Sequence, residues 1–190
     1  MKTRKKTPII PKPDVSVAQV ILAILSREGA ASFKEIRDNS ESRSATPDRS
    51  ENSFYTAIAR LKRRRLLRRT AYHKYELTPS GEFHATKARV RRALVVYEKN
   101  KADKKQWDGK WRIVIFAIPE QRRYLRDYLR TLLQRMGFSE LQRSFWIFPH
   151  RIPAFLSDLL NDNTFHGMVR AITTLGISYD QDLQKKYKLS

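Results

Sequence analysis

Cysteine is absent from the sequence, and glycine occurs only 6 times. The lack of cysteine excludes disulfide bonds, thiolate metal sites and cysteine nucleophiles, and no glycine-rich phosphate-binding loop is present. No apolar run approaches the roughly 18 residues that a membrane-spanning helix needs. The N-terminus, "MKTRKKTPIIPKPD", lacks the apolar region of a signal peptide. The lack of cysteine is compatible with a reducing cytoplasm, the location that we expect, and we expect the protein to hold no metal and no organic cofactor.

Acidic residues are also scarce, with 19 Asp and Glu against 39 Lys and Arg, so the formal net charge is +20. An excess of this size on a small protein attracts polyanions. The candidate partners are DNA, RNA and an anionic membrane surface, and a ribosomal or membrane-surface protein is the alternative that charge alone leaves open. We expect nucleic acid to be the partner and no membrane to be involved.

The N-terminal half has the pattern of a small helical domain. Residues 1–14 contain three prolines and predict a basic arm without a helix. Residues 15–80 predict three helices: Ser16 caps the first, a capping box of Ser32 and Glu35 starts the second, and "ENSFYTAIARLKRRRLL" forms the third. Two short strands around a turn follow. Three helices and a hairpin in this order predict a winged helix-turn-helix domain that binds double-stranded DNA.

The third predicted helix divides into two faces. Phe54, Ile58 and Leu61 recur at helical spacing and are expected to face the core. The opposite face is expected to read base edges through Asn52, Thr56, Arg60 and Arg63. Contacts with phosphates are expected from Arg49, Lys62, Arg64, Arg65, Arg68, Arg69, His73 and Lys74. The alternative interpretation is that the Lys and Arg run is an ordinary solvated helix surface.

The second half changes character. Residues 81–103 predict a connecting helix and linker, residues 104–178 a second domain, and residues 179–190 a C-terminal tail. The apolar run Trp111 to Phe116 is typical of a strand covered on both faces, and Glu120 to Met136 predicts an amphipathic helix. With a hairpin, a second helix and a last strand, the order becomes β-α-β-β-α-β. The predicted fold class is therefore α+β, with a ferredoxin-like domain after the winged helix.

Three stretches of this second domain resemble a known family. "WDGKWRIVIFAIPE", "RDYLRTLLQRMGF" and "LQRSFWIFPH" are similar to the central domain of PaaX-type transcriptional repressors. That domain in turn resembles the small ferredoxin-like nuclease subunit of CRISPR spacer-acquisition complexes. The resemblance implies a cytosolic, dimeric, DNA-binding repressor. The chain is expected to be a short form without the family's usual C-terminal domain, which leaves open whether an effector such as a coenzyme A thioester binds.

One position departs from the nuclease-like pattern. The related proteins commonly carry Asp after the first strand as the expected metal ligand, and the matching residue here is Ala117. Alanine has no oxygen with which to bind Mg²⁺. Other polar residues nearby have ordinary explanations: Glu120 favours a helix start, Asp108 a turn and His150 an exposed loop. We therefore expect no catalytic residue, and the aromatic-rich second domain is expected to form a homodimer.

The first hypothesis is a sequence-specific DNA-binding transcriptional regulator, expected to be a repressor that binds a palindromic operator as a dimer. The enzyme alternative is a metal-dependent nuclease related to CRISPR adaptation. A third alternative is a module that binds nucleic acid without sequence preference. Any small-molecule effector is unknown from the sequence.

Overall fold

The structure, a computed structural model, describes residues 16–41, 50–100 and 107–189. The chain forms two compact units, Met1–Ala85 and Thr86–Ser190. Both units combine helices with an antiparallel sheet, so the predicted α+β class is confirmed. The predicted basic arm, residues 1–14, lies outside the described residues. The domain limits at residues 80 and 103 stay predictions.

The first unit contains three helices and a small sheet before its last helix begins. Its elements are α1 (Val17–Glu28), β1 (Ala30–Ala31), α2 (Phe33–Glu41), α3 (Glu51–Arg63), β2 (Leu67–Arg69), β3 (Tyr75–Leu77) and the start of α4 (Pro79–Lys99). The sheet order is β1-β3-β2, and both pairings are antiparallel. The sequence analysis did not predict the two-residue strand β1. The order of three helices and a hairpin is the predicted one.

Local side-chain bonds explain where the first two helices begin. The Gln19 amide donates to Ser16 Oγ at 3.4 Å, which caps α1. The Ser32 amide donates to Glu35 Oε2 at 2.7 Å while the Glu35 amide donates to Ser32 Oγ at 3.3 Å. This reciprocal pair is the predicted capping box, and it satisfies two amides that have no partner inside the helix.

The predicted third helix is too long. α3 ends at Arg63, and Arg65 adopts a left-handed φ of 56°. That turn redirects the chain so that Leu66 and Leu67 become buried, each only 3% exposed, and β2 can pair with β3. Burial of two leucines and a strand pairing outweigh the helix propensity of the arginine run.

Gly81 lies where the start of α4 approaches the turn between α3 and β2. A Cβ atom at this position would lie 2.0 Å from the Leu66 carbonyl oxygen. The same carbonyl accepts the Thr78 amide at 3.1 Å, and Thr78 Oγ1 accepts the Gly81 amide at 3.1 Å. Thr78 therefore caps α4, and only glycine allows the helix this close approach to the chain that enters β2.

The second unit contains the predicted β-α-β-β-α-β order. After the rest of α4 come β4 (Trp111–Phe116), a 3-10 turn (Glu120–Arg122), α5 (Arg123–Met136), β5 (Ser139–Gln142), β6 (Phe145–Phe148), α6 (Ala154–Leu160), β7 (Val169–Thr174) and α7 (Gln181–Tyr187). The sheet order is β5-β6-β4-β7, with every pairing antiparallel. β4 is an inner strand, which agrees with its continuous apolar sequence. Gly137 ends α5 with a left-handed φ of 95°.

Residues 179–190, predicted as a tail, include helix α7. Leu183 is 4% exposed and packs in a cluster with Trp111, Ile113 and Ile147 on one face of the sheet. The Tyr187 hydroxyl lies within hydrogen-bond distance of two carbonyl oxygens, that of Gly137 at the end of α5 (3.0 Å) and that of Ile147 in β6 (3.1 Å). The sequence analysis missed α7 because a seven-residue polar helix with few apolar residues has almost no periodic signal.

Candidate nucleic-acid interface

Helix α3 has one buried and one exposed face. Phe54, Ile58 and Leu61 are 1%, 4% and 2% exposed, and they pack in the core of the first unit. The four residues predicted to read base edges are all exposed: Asn52, Thr56, Arg60 and Arg63. The structure therefore brings these four side chains onto one accessible surface, which we call the α3 face. Amide, hydroxyl and guanidinium groups of this kind are those that recognise base edges in a major groove.

The cations near the C-terminal end of α3 lie partly in the helix and partly in the turn after it. Lys62 is in the last turn of α3, whereas Arg64 and Arg65 belong to the turn beyond it, and all three are exposed. Arg65 is held by its backbone, since its amide donates to the Lys62 carbonyl at 2.8 Å and its own carbonyl accepts from Thr78 Oγ1 at 2.7 Å. The backbone of this cationic turn is therefore well fixed, while its side chains remain accessible.

The hairpin residues predicted to contact phosphates differ in whether a carboxylate already pairs with their side chain. Arg68 donates to Glu76, its cross-strand neighbour, and Lys74 Nζ lies 3.6 Å from Glu35 Oε1 in α2. Arg69 and His73 are exposed and have no ion-pair partner among the residues that the structure describes. Arg49, also predicted as a phosphate contact, lies outside the described residues. The guanidinium of Arg69 is consequently freer to contact a partner than that of Arg68.

Two exposed tyrosines of the first unit were not among the site residues that the sequence analysis predicted. Tyr55 is 53% exposed and stacks on Phe33 of α2, with ring centroids 4.1 Å apart. Desolvation by this packing, and then the nearby carboxylate of Glu51, raise the pKa of Tyr55. Tyr72 is 86% exposed in the turn between β2 and β3. The sequence contained one signal for Tyr72, because this aromatic residue stands next to His73 and Lys74 at the predicted turn.

In the second unit, the run "WDGKW" precedes a buried arginine, Arg112, and supplies part of a hydrogen-bond network, called the clamp, that surrounds its guanidinium. Arg112 is 5% exposed, and its guanidinium donates to both carboxylate oxygens of Asp108 and to the Pro149 carbonyl at 3.0 Å. Because Asp108 accepts these bonds and also faces Arg151, its pKa is held well below its usual range. Asp108 thus has a structural partner for each oxygen, and the clamp explains why Asp and Arg occur four residues apart at the start of β4.

Comparison with known proteins decides what this unit is. Residues 104–185 match the PaaX protein central Cas2-like domain. The second unit carries a PaaX-family domain. This match confirms the resemblance that the sequence predicted for the second domain. The family is known for transcriptional regulation. An uncharacterized protein, Rv0674 from Mycobacterium tuberculosis, is similar over 91% of this chain and 67% of its own, with 20% identity and a TM-score of 0.37. No curated protein matches the chain.

The PaaX-type domain has an alanine at the end of its first strand. Ala117 is exposed, and its amide donates to the Met168 carbonyl at 2.8 Å. Glu120, the nearest carboxylate along the chain, accepts from Arg126 at 2.8 Å, and this bond lowers its pKa. Within residues 16–41, 50–100 and 107–189, no three His, Asp or Glu side chains are grouped so that they could hold a metal ion. In the same ranges, no helix combines the length and apolar character needed to cross a membrane.

Proposed function

We propose that this PaaX-type chain is a sequence-specific DNA-binding transcriptional regulator that acts as a repressor. In this proposal the first unit is a winged helix, α3 enters the major groove and the β2–β3 hairpin is the wing. The observation that carries the proposal is the α3 face, where Asn52, Thr56, Arg60 and Arg63 are exposed directly opposite a fully buried apolar face. A helix that is anchored on one side and presents an amide and guanidinium groups on the other suits base recognition.

Charge supports the same assignment. Lys62, Arg64 and Arg65 extend the α3 face, and Arg69 continues the positive surface onto the hairpin. Phosphate contacts from such residues would fix the position of α3 in the groove without contributing sequence preference. The ordinary alternative, a solvated helix end whose cations are favoured by the helix dipole, accounts for the cations of α3 but not for the continuation of the positive surface onto the hairpin through Arg69.

The PaaX-type domain is proposed to pair two chains. On the sheet face that α7 covers, the cluster of Trp111, Ile113 and Ile147 is capped by Leu183, but Ile115 and Phe145 at its edge are only partly buried. Ile172, the cross-strand neighbour of Ile113, is 45% exposed. These three residues, which we call the open strip, are suited to contact the same strip of a second copy. A twofold dimer would present two α3 helices to a palindromic operator.

The nuclease and the non-specific binding module remain the competing functions. For the nuclease, the chain would need a metal ligand at the end of β4, where it has Ala117. For the non-specific module, the α3 face would have to contact DNA without reading bases.

The deciding experiment is a fluorescence-anisotropy titration of the full chain at about 150 mM salt, because affinity for DNA depends steeply on salt. The DNA immediately upstream of the protein's own gene is compared with a shuffled copy, with and without Mg²⁺. We expect a preference of about 10³ or more for the native DNA, which stays intact. Equal affinity for both sequences would contradict sequence-specific regulation, and cleavage that requires Mg²⁺ would support the nuclease.

A further inference from the structure

The tip of the β2–β3 hairpin exposes an aromatic ring that the fold does not use. Tyr72 is 86% exposed, so its side chain contributes little to the stability of the first unit. Arg69 precedes it at the end of β2, His73 follows it, and both are exposed. A large exposed ring between two basic side chains is unusual for a hairpin turn, where small polar residues are the norm.

The backbone of this tip is held in one arrangement. The Thr70 amide donates to the Lys74 carbonyl at 2.8 Å, and the His73 amide donates to the Thr70 carbonyl at 3.2 Å. His73 has a left-handed φ of 57°, which closes the turn. Lys74, 3.6 Å from Glu35, ties the base of the tip to α2. The backbone that carries Tyr72 is therefore held in place, so only the rotamer freedom of its side chain would be lost when the ring contacts a partner.

We propose that Tyr72 enters the DNA minor groove beside the major-groove segment read by α3, where its ring packs on the deoxyribose walls and favours A·T base pairs. This inference rests on the proposed function. The phosphates that border this groove would be contacted by Arg69, whose exposed side chain lies at the end of β2 beside the ring. A G·C pair adds the guanine N2 amino group to the floor of that groove and obstructs the ring.

The proposal gives Tyr72 a role that differs from that of its neighbours. Arg69 would neutralise a phosphate, so its contribution would depend on salt. The Tyr72 ring would contribute by packing and not by charge neutralisation, so its contribution would be nearly independent of salt and would depend on the identity of the base pairs beneath it. These two dependences separate a groove-reading aromatic residue from a phosphate contact.

The test uses the whole 190-residue chain and duplexes that the wild-type protein selects from a random pool. We expect the pairs that flank the selected core to be rich in A·T. These flanking pairs are then replaced by G·C or by inosine·C, since inosine lacks the N2 amino group and makes the minor groove resemble that of A·T. Affinities are measured by anisotropy at several salt concentrations for the wild type, Tyr72→Ala, Tyr72→Phe and Arg69→Ala. Circular dichroism confirms that each variant is folded.

We expect Tyr72→Ala to weaken binding to A·T and inosine·C flanks about tenfold, with an unchanged salt slope, and Tyr72→Phe to bind like the wild type. On G·C flanks, the wild type and Tyr72→Ala should bind alike. Arg69→Ala should instead weaken binding to every duplex and reduce the salt slope by about 1.

Three results would overturn the inference in different ways. If the wild type selects sequences but Tyr72→Ala binds all of them as tightly, the ring makes no contact and only the Tyr72 proposal fails. If Tyr72→Ala loses the same factor on all three flanks, the ring contacts the backbone and does not read the groove. If the wild type enriches no sequence at all, the proposed function itself fails.

Discussion

At the scale of single residues, exposed cations of the first unit differ in their partners. The guanidinium of Arg68 is engaged by Glu76, and the ammonium of Lys74 lies near Glu35. Arg63 and Arg69 have no such carboxylate among the residues described. A cation that is already paired must give up that interaction before it contacts a phosphate. The predicted phosphate contacts can therefore be ranked by whether the fold supplies each of them with a carboxylate. The sequence alone shows them all as similar basic residues.

This ranking leads to a prediction for DNA binding. Asn52→Ala or Arg63→Ala should relax the preference for one base pair, at a cost of about 1–3 kcal/mol on the preferred sequence only. Arg69→Ala should weaken the preferred and shuffled sequences by the same factor, and Arg68→Ala should do so to a smaller extent because Glu76 already engages its side chain. Competitive anisotropy titrations with single-base-pair variants of the duplex provide the measurement. Equal losses on all sequences for both groups of variants would contradict the assignment of the α3 face.

At the scale of secondary-structure elements, α7 is part of the PaaX-type domain. Its Leu183 completes a cluster with Trp111, and Trp111 Nε1 donates to Asp180 Oδ2 at 2.8 Å at the start of the helix. That bond, together with one from Gln184, lowers the pKa of Asp180. At the end of the helix, the Tyr187 hydroxyl contacts Ser139 Oγ at 2.6 Å. The helix therefore covers one end of the sheet face and leaves the open strip beyond it.

Removal of the buried side chain of α7 should destabilise this domain. Leu183→Ala leaves a cavity beside Trp111, and we expect the free energy of unfolding to fall by about 2–4 kcal/mol. Lys185→Ala, on the exposed side of the same helix, is the matched control and should change stability by less than about 0.5 kcal/mol. Urea unfolding followed by tryptophan fluorescence measures both. Identical unfolding midpoints for the two variants would show that α7 does not contribute to the core.

At the scale of the whole molecule, a net charge of +20 and a partly uncovered sheet face have opposite effects on self-association. Like charges on two copies repel one another, and the repulsion weakens as salt screens it. Burial of Ile115, Phe145 and Ile172 in a contact between two copies is favourable and depends little on salt. Bound DNA would neutralise much of the positive charge. The proposed dimer should therefore be more stable at moderate salt than at low salt, and more stable still on its operator.

The open strip can be tested by charge. Ile172→Asp places a carboxylate in the strip at a residue that is already 45% exposed, so the variant should fold normally. We expect sedimentation velocity to show a dimer for the wild type and a monomer for Ile172→Asp, with at least about tenfold weaker binding to a palindromic duplex. Val96→Asp, which changes an exposed apolar residue of α4, is the control and should remain dimeric. A dimeric Ile172→Asp variant would place the interface elsewhere.

The sequence by itself determined the features that depend on neighbours close in the chain. Helical spacing identified the buried face of α3 through Phe54, Ile58 and Leu61, and the Ser32–Glu35 capping box located the start of α2. The continuous apolar run from Trp111 to Phe116 indicated an inner strand of the second sheet. Each of these signals is a regular repeat or a bond across three residues, so the order of residues alone contains it.

Only the tertiary structure decided the features that depend on distant contacts. α3 ends at Arg63 because the following leucines are buried in the core. α7 is stabilised because Leu183 packs against Trp111 and Ile147, which lie more than thirty residues away in the sequence. Likewise, Arg68 and Arg69 are adjacent in the chain, but the β2–β3 pairing gives only Arg68 a carboxylate partner. The energies of burial and pairing are set by which surfaces meet, and local sequence patterns do not record that information.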